Sequence, residues 1–397
     1  QDVQLGGNLR HIRYLQSGDD PQTELQRLIR TVDAEDRIRV FLNARVEEVE
    51  GSVGSFRTKI SVNGDVEEVQ HGVVIVATGA AGYRPTEYLY GQDERVITQL
   101  ELEERLASSS GWSARSNGGP PRTVVMIQCV GSRDAERPYC SRLCCAEAMK
   151  NALKIKDISP TTNVYVLYRD IRTYGFRERY YTEARRRGVA FIRYEPEEKP
   201  DVCRNGKALL VKVVDQTLKL PVEIAADLVV LSTGIVPGEG AESVAKLLKV
   251  PLTSDGFFLE AHMKLRPVDF ATDGVFLCGL AHSAKGVEES LMQAQAAAAR
   301  AAKLLSRDRI ELEPTISELV VENCDGCAYC VDPCPFHAIT LIEFVRKGSV
   351  KKIVEINEAV CKGCGCCQAT CPKQGVVIKG FKLEQLRAQV HAALGAA

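Results

Sequence analysis

The feature that most constrains this chain is a cysteine motif that occurs twice near the carboxyl end. The segments CDGCAYCVDPCP (324–335) and CKGCGCCQATCP (361–372) both follow the pattern C-x2-C-x2-C-x3-C-P, and they begin 37 residues apart. Nine of the 15 cysteines lie in the last 74 residues. Thiols at such short spacings can converge on a metal centre. The motif therefore predicts metal binding.

Two kinds of metal site use closely spaced cysteine pairs. Zinc ribbons hold one ion with four ligands, whereas a doubled run of four cysteines ending in Cys-Pro is the spacing of bacterial two-cluster ferredoxins. In that pattern the turn and a helix starting at Pro335 or Pro372 carry the fourth cysteine to the other run's cluster. We therefore predict two [4Fe–4S] clusters, and the predicted ligand sets are Cys324, Cys327, Cys330 and Cys371 for one and Cys361, Cys364, Cys367 and Cys334 for the other.

A second group of cysteines lies within residues 128–145, QCVGSRDAERPYCSRLCC, which continue the apolar run TVVMIQ. The run predicts a buried strand. A helix is predicted from about 141 to 157, with Cys140 and Cys144 on one helix face. The helix N-terminus carries a partial positive charge that would stabilise an anionic centre. The spacing leaves three alternatives open: an iron–sulfur cluster, a tetrahedral zinc ion, or a disulfide with two spare thiols.

Strands and helices alternate over most of the chain. The order of elements over 123–195 predicts a parallel sheet with right-handed crossovers, and residues 202–226 predict an antiparallel meander. The other predicted elements are helices over 21–35 and 174–188, strands over 37–51 and 71–80, a Gly-, Ser- and Pro-rich linker over 108–121, and a domain boundary near 311. The net charge of −1 favours neither nucleic acid nor an acidic membrane surface as a partner, and no apolar stretch is long enough to span a bilayer.

Beyond its cysteine spacing, the segment QCVGSRD…RPYCSRLCC resembles the cluster-binding segment of the A subunits of heterodisulfide reductases. The segments LGGNLRHI (5–12), VIVATGA (74–80) and GVFLCGLAHSAKGVEESLMQAQAAAARA (274–301) resemble the same family. The resemblance implies that a third [4Fe–4S] cluster lies beside a flavin, and its implied ligands are Cys129, Cys140, Cys144 and Cys145.

The implied fold is α/β: a thioredoxin-reductase-like flavoprotein with two dinucleotide-binding domains, followed by an α+β two-cluster ferredoxin domain. The implied domains are a first FAD-binding part (1–115), an NAD-domain-like module carrying a cluster (116–240), a return segment of the FAD domain (241–310) and the ferredoxin-like domain (311–397). The chain lacks the G-x-G-x-x-G fingerprint that opens such folds. We therefore expect the amino-terminal βαβ unit, half of the FAD site, to lie upstream or on another polypeptide.

The resemblance and the strand-end turns also predict residues that contact FAD. The predicted contacts are Gly6, Gly7, Asn8, Ala77, Thr78, Gly79, Thr233, Gly234, Gly279 and Leu280. The strand that ends in QCVGS runs into cysteines where a nicotinamide-binding glycine loop would stand, so no NAD(P)H binding is expected in that module. Lys150, five residues after Cys145, is predicted as a catalytic cation near the flavin, which would stabilise its anionic reduced form. The alternative for Lys150 is a solvated helix lysine.

The resemblance implies an oxidoreductase component in the cytoplasm of an anaerobe. It would pass electrons between FAD, [4Fe–4S] clusters and partner subunits, with flavin-based electron bifurcation as one form of this transfer. The implied partners are disulfide-reducing subunits, a hydrogenase or formate dehydrogenase module, and ferredoxin. Two alternatives are an electron-wiring subunit without its own flavin and an NAD(P)H-dependent oxidoreductase like the small subunit of glutamate synthase.

Overall fold

The computed structural model describes residues 3–108, 112, 119–206, 208–311, 314–346 and 349–395. The chain divides into a larger unit, Gln1–Glu48, Lys59–Glu68 and Ile75–Arg300, and a smaller unit, Val49–Thr58, Val69–Val74 and Ala301–Ala397. The linker predicted over 108–121 lies mostly outside the described residues. Within the described ranges, no helix is both long and apolar enough to cross a bilayer.

The helices are between five and 19 residues long. Their bounds are α1 Pro21–Asp33, α2 Gln99–Ala107, α3 Cys144–Ile158, α4 Glu178–Arg186, α5 Ala241–Leu248, α6 Val287–Leu305, α7 Cys366–Thr370 and α8 Leu383–Ala393. The strands are β1 Ala44–Glu50, β2 Phe56–Val62, β3 Asp65–His71, β4 Val74–Val76, β5 Ala80–Gly82, β6 Val96–Thr98, β7 Thr123–Val130, β8 Asn163–Tyr168, β9 Ala190–Arg193, β10 Asp201–Asn205, β11 Ala208–Asp215, β12 Leu220–Ala226, β13 Leu228–Thr233, β14 Ile235–Pro237, β15 Val275–Leu277, β16 Ser317–Leu319, β17 Ile339–Arg346, β18 Ser349–Ile356 and β19 Val376–Ile378.

A five-stranded parallel sheet organises the larger unit, with strand order β6-β13-β7-β8-β9. Along the central strand β7, Val124 and Met126 pack with Met149 of α3 on one face. On the other face, Val125 and Ile127 pack in a core with the antiparallel strands β10, β11 and β12. The α/β class, the parallel sheet and the meander predicted from the sequence are confirmed.

Several predicted boundaries are wrong, each for a local backbone reason. The strand predicted from residue 37 begins only at Ala44, directly after Asn43 with φ of 51°. The helix predicted from residue 141 begins at Cys144, because Arg142 has φ of 60°. A positive φ is incompatible with both an extended strand and a right-handed helix, so each element starts after the left-handed residue.

The smaller unit contains two antiparallel pairs, β16 with β19 and β17 with β18. The helices predicted to start at Pro335 and Pro372 are absent from the described residues there: turns lead instead into β17 and β19. His337 and Gln374, two residues after each proline, have φ of 50° and 53°. These left-handed residues turn the chain into the strands whose apolar side chains form the core.

Candidate metal and flavin sites

The second cysteine group begins at an irregularity near the end of β7. Leu231 of β13 aligns with Ile127, but Thr233 aligns with Val130, so β7 contains one extra residue between them. Cys129 lies in this bulge with φ of 62°. A bulge redirects a side chain out of the regular strand alternation. It is the local feature that sets the direction of the Cys129 thiol.

Cys144 and Cys145 form the first turn of α3, and both are buried. A hydrogen bond to Cys145 raises the pKa of Cys144 well above its ordinary value, together with burial and the charges of Cys145, Cys129 and Cys140. The same hydrogen bond lowers the pKa of Cys145. The four sulfur atoms thus lie close enough to act on one another. Cys140 lies outside α3, so the prediction that Cys140 and Cys144 share a helix face is wrong.

Cations and N–H donors surround this cysteine group. Burial and the charge of Cys145 raise the pKa of Cys129 to about 11, while Arg133 and Arg169 act to lower it. The Nη1 atom of Arg133 lies 4.0 Å from the Cys129 sulfur, and Arg133 also pairs with Asp170. The backbone N–H of Arg142 donates to the Cys140 sulfur at 3.4 Å. This donor set fits an anionic cluster, which needs thiolates, cations and N–H groups around its sulfur atoms.

Among the residues that the structure describes, no three His, Cys, Asp or Glu side chains are arranged around one metal ion. A zinc site holds four ligand atoms about 2.0–2.3 Å from one ion, whereas the four thiolates of a cubane bind four different irons. The identity of the metal centre at Cys129, Cys140, Cys144 and Cys145 stays a prediction.

In the smaller unit, one small cavity is lined by four cysteines of the doubled motif, and these are Cys334, Cys361, Cys364 and Cys367. Ser317 contacts two of them, because its N–H donates to the Cys361 sulfur at 3.3 Å and its hydroxyl lies 3.0 Å from the Cys367 sulfur. The N–H of Ala338 donates to the Cys334 sulfur at 3.3 Å. The fold therefore brings Cys334 of the first motif together with three cysteines of the second motif, which is the predicted ligand set of one cluster.

The other predicted set is also drawn together. Burial, together with the charges of Cys371, Cys367 and Cys324, raises the pKa of Cys330 to about 11. The N–H of Gly375 donates to the Cys371 sulfur at 3.1 Å. A Cβ atom on Gly375 would lie 3.1 Å from the Cα and N atoms of Cys324, so this glycine lets two chain segments meet. Cys327 is exposed at the edge of the group.

Several of the predicted flavin-contacting segments meet at one edge of the larger unit. The Asn8 side chain donates to the Ala80 carbonyl at 2.7 Å, next to the turn that contains Gly79. The N–H of Cys278 donates to the Val76 carbonyl at 3.0 Å, so the turns after β4 and β15 are neighbours. Gly79 has φ of 74° and open space where a Cβ atom would lie. This cradle fits a ligand that approaches the backbone closely.

Two predicted flavin contacts have other partners. The N–H of Gly279 donates to Gln293 at 3.0 Å, and its carbonyl accepts from Lys285 at 2.7 Å. Leu280 follows within a short 3-10 turn. The N–H of Gly234 donates to the Val130 carbonyl at 2.8 Å, so Thr233-Gly234 lies against the cysteine loop. Gly6 and Gly7 start the 3-10 turn Gly7–His11.

Lys150 lies in the interior of the larger unit rather than in solvent. Its ammonium contacts Glu103 at 2.6 Å and the Tyr14 carbonyl at 3.1 Å, and its side chain is only 11% exposed. The solvated alternative for Lys150 is therefore wrong. Its catalytic role stays a prediction.

Sequence reasoning missed some of the groups around these sites. No sequence pattern marks Glu103, because its partner Lys150 lies 47 residues away on another helix. Gln128 ends the apolar run TVVMIQ, and a polar residue at the end of a buried strand is itself a signal. Both amide atoms of its fully buried side chain lack a hydrogen-bond partner.

The chain matches known proteins over most of its length. Residues 323–375 match the family model described as a 4Fe-4S dicluster domain. In Methanothermobacter marburgensis, the A subunit of the H(2):CoB-CoM heterodisulfide,ferredoxin reductase is 42% identical over 341 residues, which are 82% of this chain and 50% of that protein. In Methanopyrus kandleri, one of the iron-sulfur A subunits named for CoB--CoM heterodisulfide reductase is 42% identical over 291 residues, 70% of this chain and 44% of that protein.

The chain is thus an iron–sulfur protein with a dicluster domain at its carboxyl end. It is a member of the iron–sulfur flavoprotein family that contains the A subunits of heterodisulfide reductases. The chain spans about half the length of the curated relatives it matches. Among solved structures, the thioredoxin reductase of T. acidophilum is 16% identical, with a TM-score of 0.49, over 76% of this chain and 87% of that one.

Proposed function

We propose that this chain is an electron-transfer part of a heterodisulfide-reductase-like complex, in which electrons pass between FAD, three [4Fe–4S] clusters and partner subunits. The observation that carries the proposal is the cysteine group at the end of β7, in which Cys144 and Cys145 are buried and Cys129 and Cys140 are half-buried. Its four thiols interact next to the N-terminus of α3, and they are separate from the eight motif cysteines of the dicluster domain.

The proposed roles of the protein groups follow from their charge. A bound [4Fe–4S] cluster supplies one-electron transfer at a potential set by burial and by hydrogen bonds to sulfur. Cys129, Cys140, Cys144 and Cys145 would hold the third cluster. Arg133 would offset the negative charge at Cys129 from 4.0 Å away. The Arg142 N–H and the α3 N-terminus would stabilise the remaining thiolates.

The proposed flavin site uses the edge where Asn8, Gly79 and Gly279 lie. A bound flavin supplies two-electron chemistry that can be divided between one-electron carriers. Gly79 would let the dinucleotide approach the backbone, while Lys285 and Gln293 hold the Gly279 turn by its carbonyl and N–H. Residues outside this chain would complete the site, whether they belong to a longer form of the protein or to another polypeptide.

The proposed partners follow the names of the relatives. The M. marburgensis protein is named for dihydrogen, the CoB–CoM heterodisulfide and ferredoxin. We propose disulfide-reducing subunits and a ferredoxin-type carrier as its partners and, from the family resemblance, a hydrogenase or formate dehydrogenase module as electron source. Electron bifurcation at the flavin is the proposed mode of coupling. No NAD(P)H is expected to bind at the strand that carries the cysteine group.

Metal and flavin content per chain tests the proposal. Protein purified and reconstituted without oxygen should contain about twelve irons per chain and an equal amount of acid-labile sulfide. Cys145→Ala should remove about four irons, whereas the matched control Cys203→Ala, in the outlying strand β10, should keep all twelve. About eight irons together with one zinc per chain would contradict the third cluster. Full iron without any flavin, even with added FAD, would favour an electron-wiring subunit instead.

A further inference from the structure

The side chain of Gln128 is a buried polar group that the polypeptide does not satisfy. It is completely inaccessible to solvent, and neither Nε2 nor Oε1 has a hydrogen-bond partner. Burying an amide without a partner costs on the order of 1–3 kcal/mol. An apolar residue of similar size would avoid this cost at the same place in the strand. The amide therefore indicates a partner that is not part of the polypeptide.

The position of Gln128 limits what that partner is. Gln128 directly precedes Cys129, and both residues lie between Ile127 and Val130, where the register of β7 shifts. Val124 and Met126, four and two residues earlier in β7, pack against α3. The first turn of α3 carries Cys144 and Cys145. The amide thus lies directly beside Cys129 in the chain, at the end of the strand that packs against the helix carrying Cys144 and Cys145.

Two other buried polar side chains, Gln99 and Asn151, have partners within the polypeptide. Gln99 donates from Nε2 to the Ser232 hydroxyl at 3.0 Å. Asn151 donates to the Gln99 side chain at 2.8 Å and accepts from the Tyr14 hydroxyl at 2.7 Å. The sulfur atoms of a cluster accept hydrogen bonds, so an amide N–H is a suitable donor for them.

We infer that Gln128 donates a hydrogen bond from Nε2 to a sulfur atom of the cluster held by the β7 cysteine group, and that this bond raises the cluster's reduction potential. Reduction adds negative charge to the cluster, and a donor in a low-dielectric interior stabilises the more negative state more strongly. Gln128 is therefore a positioning and tuning residue rather than a ligand. The inference rests on the proposed function, because it needs the third cluster.

The test compares reduction potentials measured by anaerobic titration with electron paramagnetic resonance. Gln128→Met keeps the shape of the side chain and removes the donor, and Gln128→Leu is the second variant if the first does not hold the cluster. Met126→Leu is the matched control, since it changes a buried residue two positions earlier in the same strand and adds no polar group. The two clusters of the dicluster domain are internal references in every sample.

The expected result is a lower potential and shifted g-values for the third cluster in the Gln128 variants alone, with the two reference signals unchanged. A third-cluster potential in Gln128→Met or Gln128→Leu equal to that of wild type, at twelve irons per chain, would overturn this inference and leave the proposed function intact. Only eight irons in the wild-type protein would remove the proposed function, and the inference with it.

Discussion

The ion pair between Lys150 and Glu103 allows a quantitative prediction for Lys150→Met. The two charged atoms are 2.6 Å apart, and the Glu103 side chain has no solvent exposure. Glu103 also accepts from the backbone N–H groups of Arg13 at 2.6 Å and Tyr14 at 3.2 Å. Removing one partner of a buried pair costs about 3–5 kcal/mol. Since these two N–H donors remain, we expect a loss near the lower limit, about 3 kcal/mol, or roughly a 150-fold shift in the unfolding equilibrium.

Fluorescence of Trp112 provides a local assay. It is the only tryptophan of the chain, and it packs in the same core as α2 and α3. Anaerobic urea unfolding followed by this signal should show the loss in Lys150→Met. Adding Glu103→Gln should restore more than half of it, because the buried charge is then removed as well. Lys154→Met, one turn later on α3, should change stability by less than about 1 kcal/mol.

A small effect would refute the reasoning. If Lys150→Met unfolds within about 1 kcal/mol of wild type, the carboxylate of Glu103 does not depend on the ammonium, and the buried pair contributes little. The same variant then becomes a clean test of the proposed flavin role of Lys150, since any change in flavin potential would not come from lost stability.

Three further predictions concern other parts of the chain. Burial lowers the pKa of Lys285 from 10.5 to about 8. Between these two pH values the unfolded state binds more protons than the folded state, so the urea midpoint should rise as the pH increases from about 8 to 10.5. The variant Lys285→Met should lose this rise. Gly363→Ala should lower the iron content and stability of the smaller unit, because φ of Gly363 is 61° and a Cβ atom there would collide with a backbone carbonyl oxygen. The control Gly365→Ala, where φ is 83° and the space for a Cβ atom is open, should lower the free energy of unfolding by only about 1–2 kcal/mol. Cys334→Ala and Cys361→Ala should each remove about four of twelve irons, and the double variant should remove no more than either single one if both thiols bind the same cluster; a loss of eight would contradict the crossed pattern.

Regular patterns in the sequence were sufficient for the central architecture. The run TVVMIQCV is apolar on both faces, as a strand covered on two sides must be, and it became the middle strand of the parallel sheet. The spacing of the doubled motif likewise predicts which thiols meet, and Cys334 does lie with Cys361 around one cavity. In both cases the information is contained in a short stretch of chain.

Features that depend on single dihedral angles or distant partners could not be predicted in this way. The start of α3 is set by the left-handed conformation of Arg142, and no local pattern marks that residue. The prediction of helices after Pro335 and Pro372 is wrong for the same reason, because His337 and Gln374 adopt the left-handed conformation. The pair of Lys150 with Glu103 joins two helices that are adjacent only in the folded chain.

The proposed cluster at the β7 cysteine group would lie where an open parallel sheet ordinarily binds a nucleotide. In open parallel sheets, ligands bind beyond the carboxyl ends of the strands, where a helix N-terminus offers N–H groups and partial positive charge to a phosphate. Here the same place, between the end of β7 and the start of α3, carries Cys129, Cys144 and Cys145. Thiolates and the sulfides of a cluster are anions like a pyrophosphate, so the helix dipole stabilises either one. Under the proposed assignment, cysteines in place of a glycine loop would change the ligand while the positive potential at this edge of the sheet is kept.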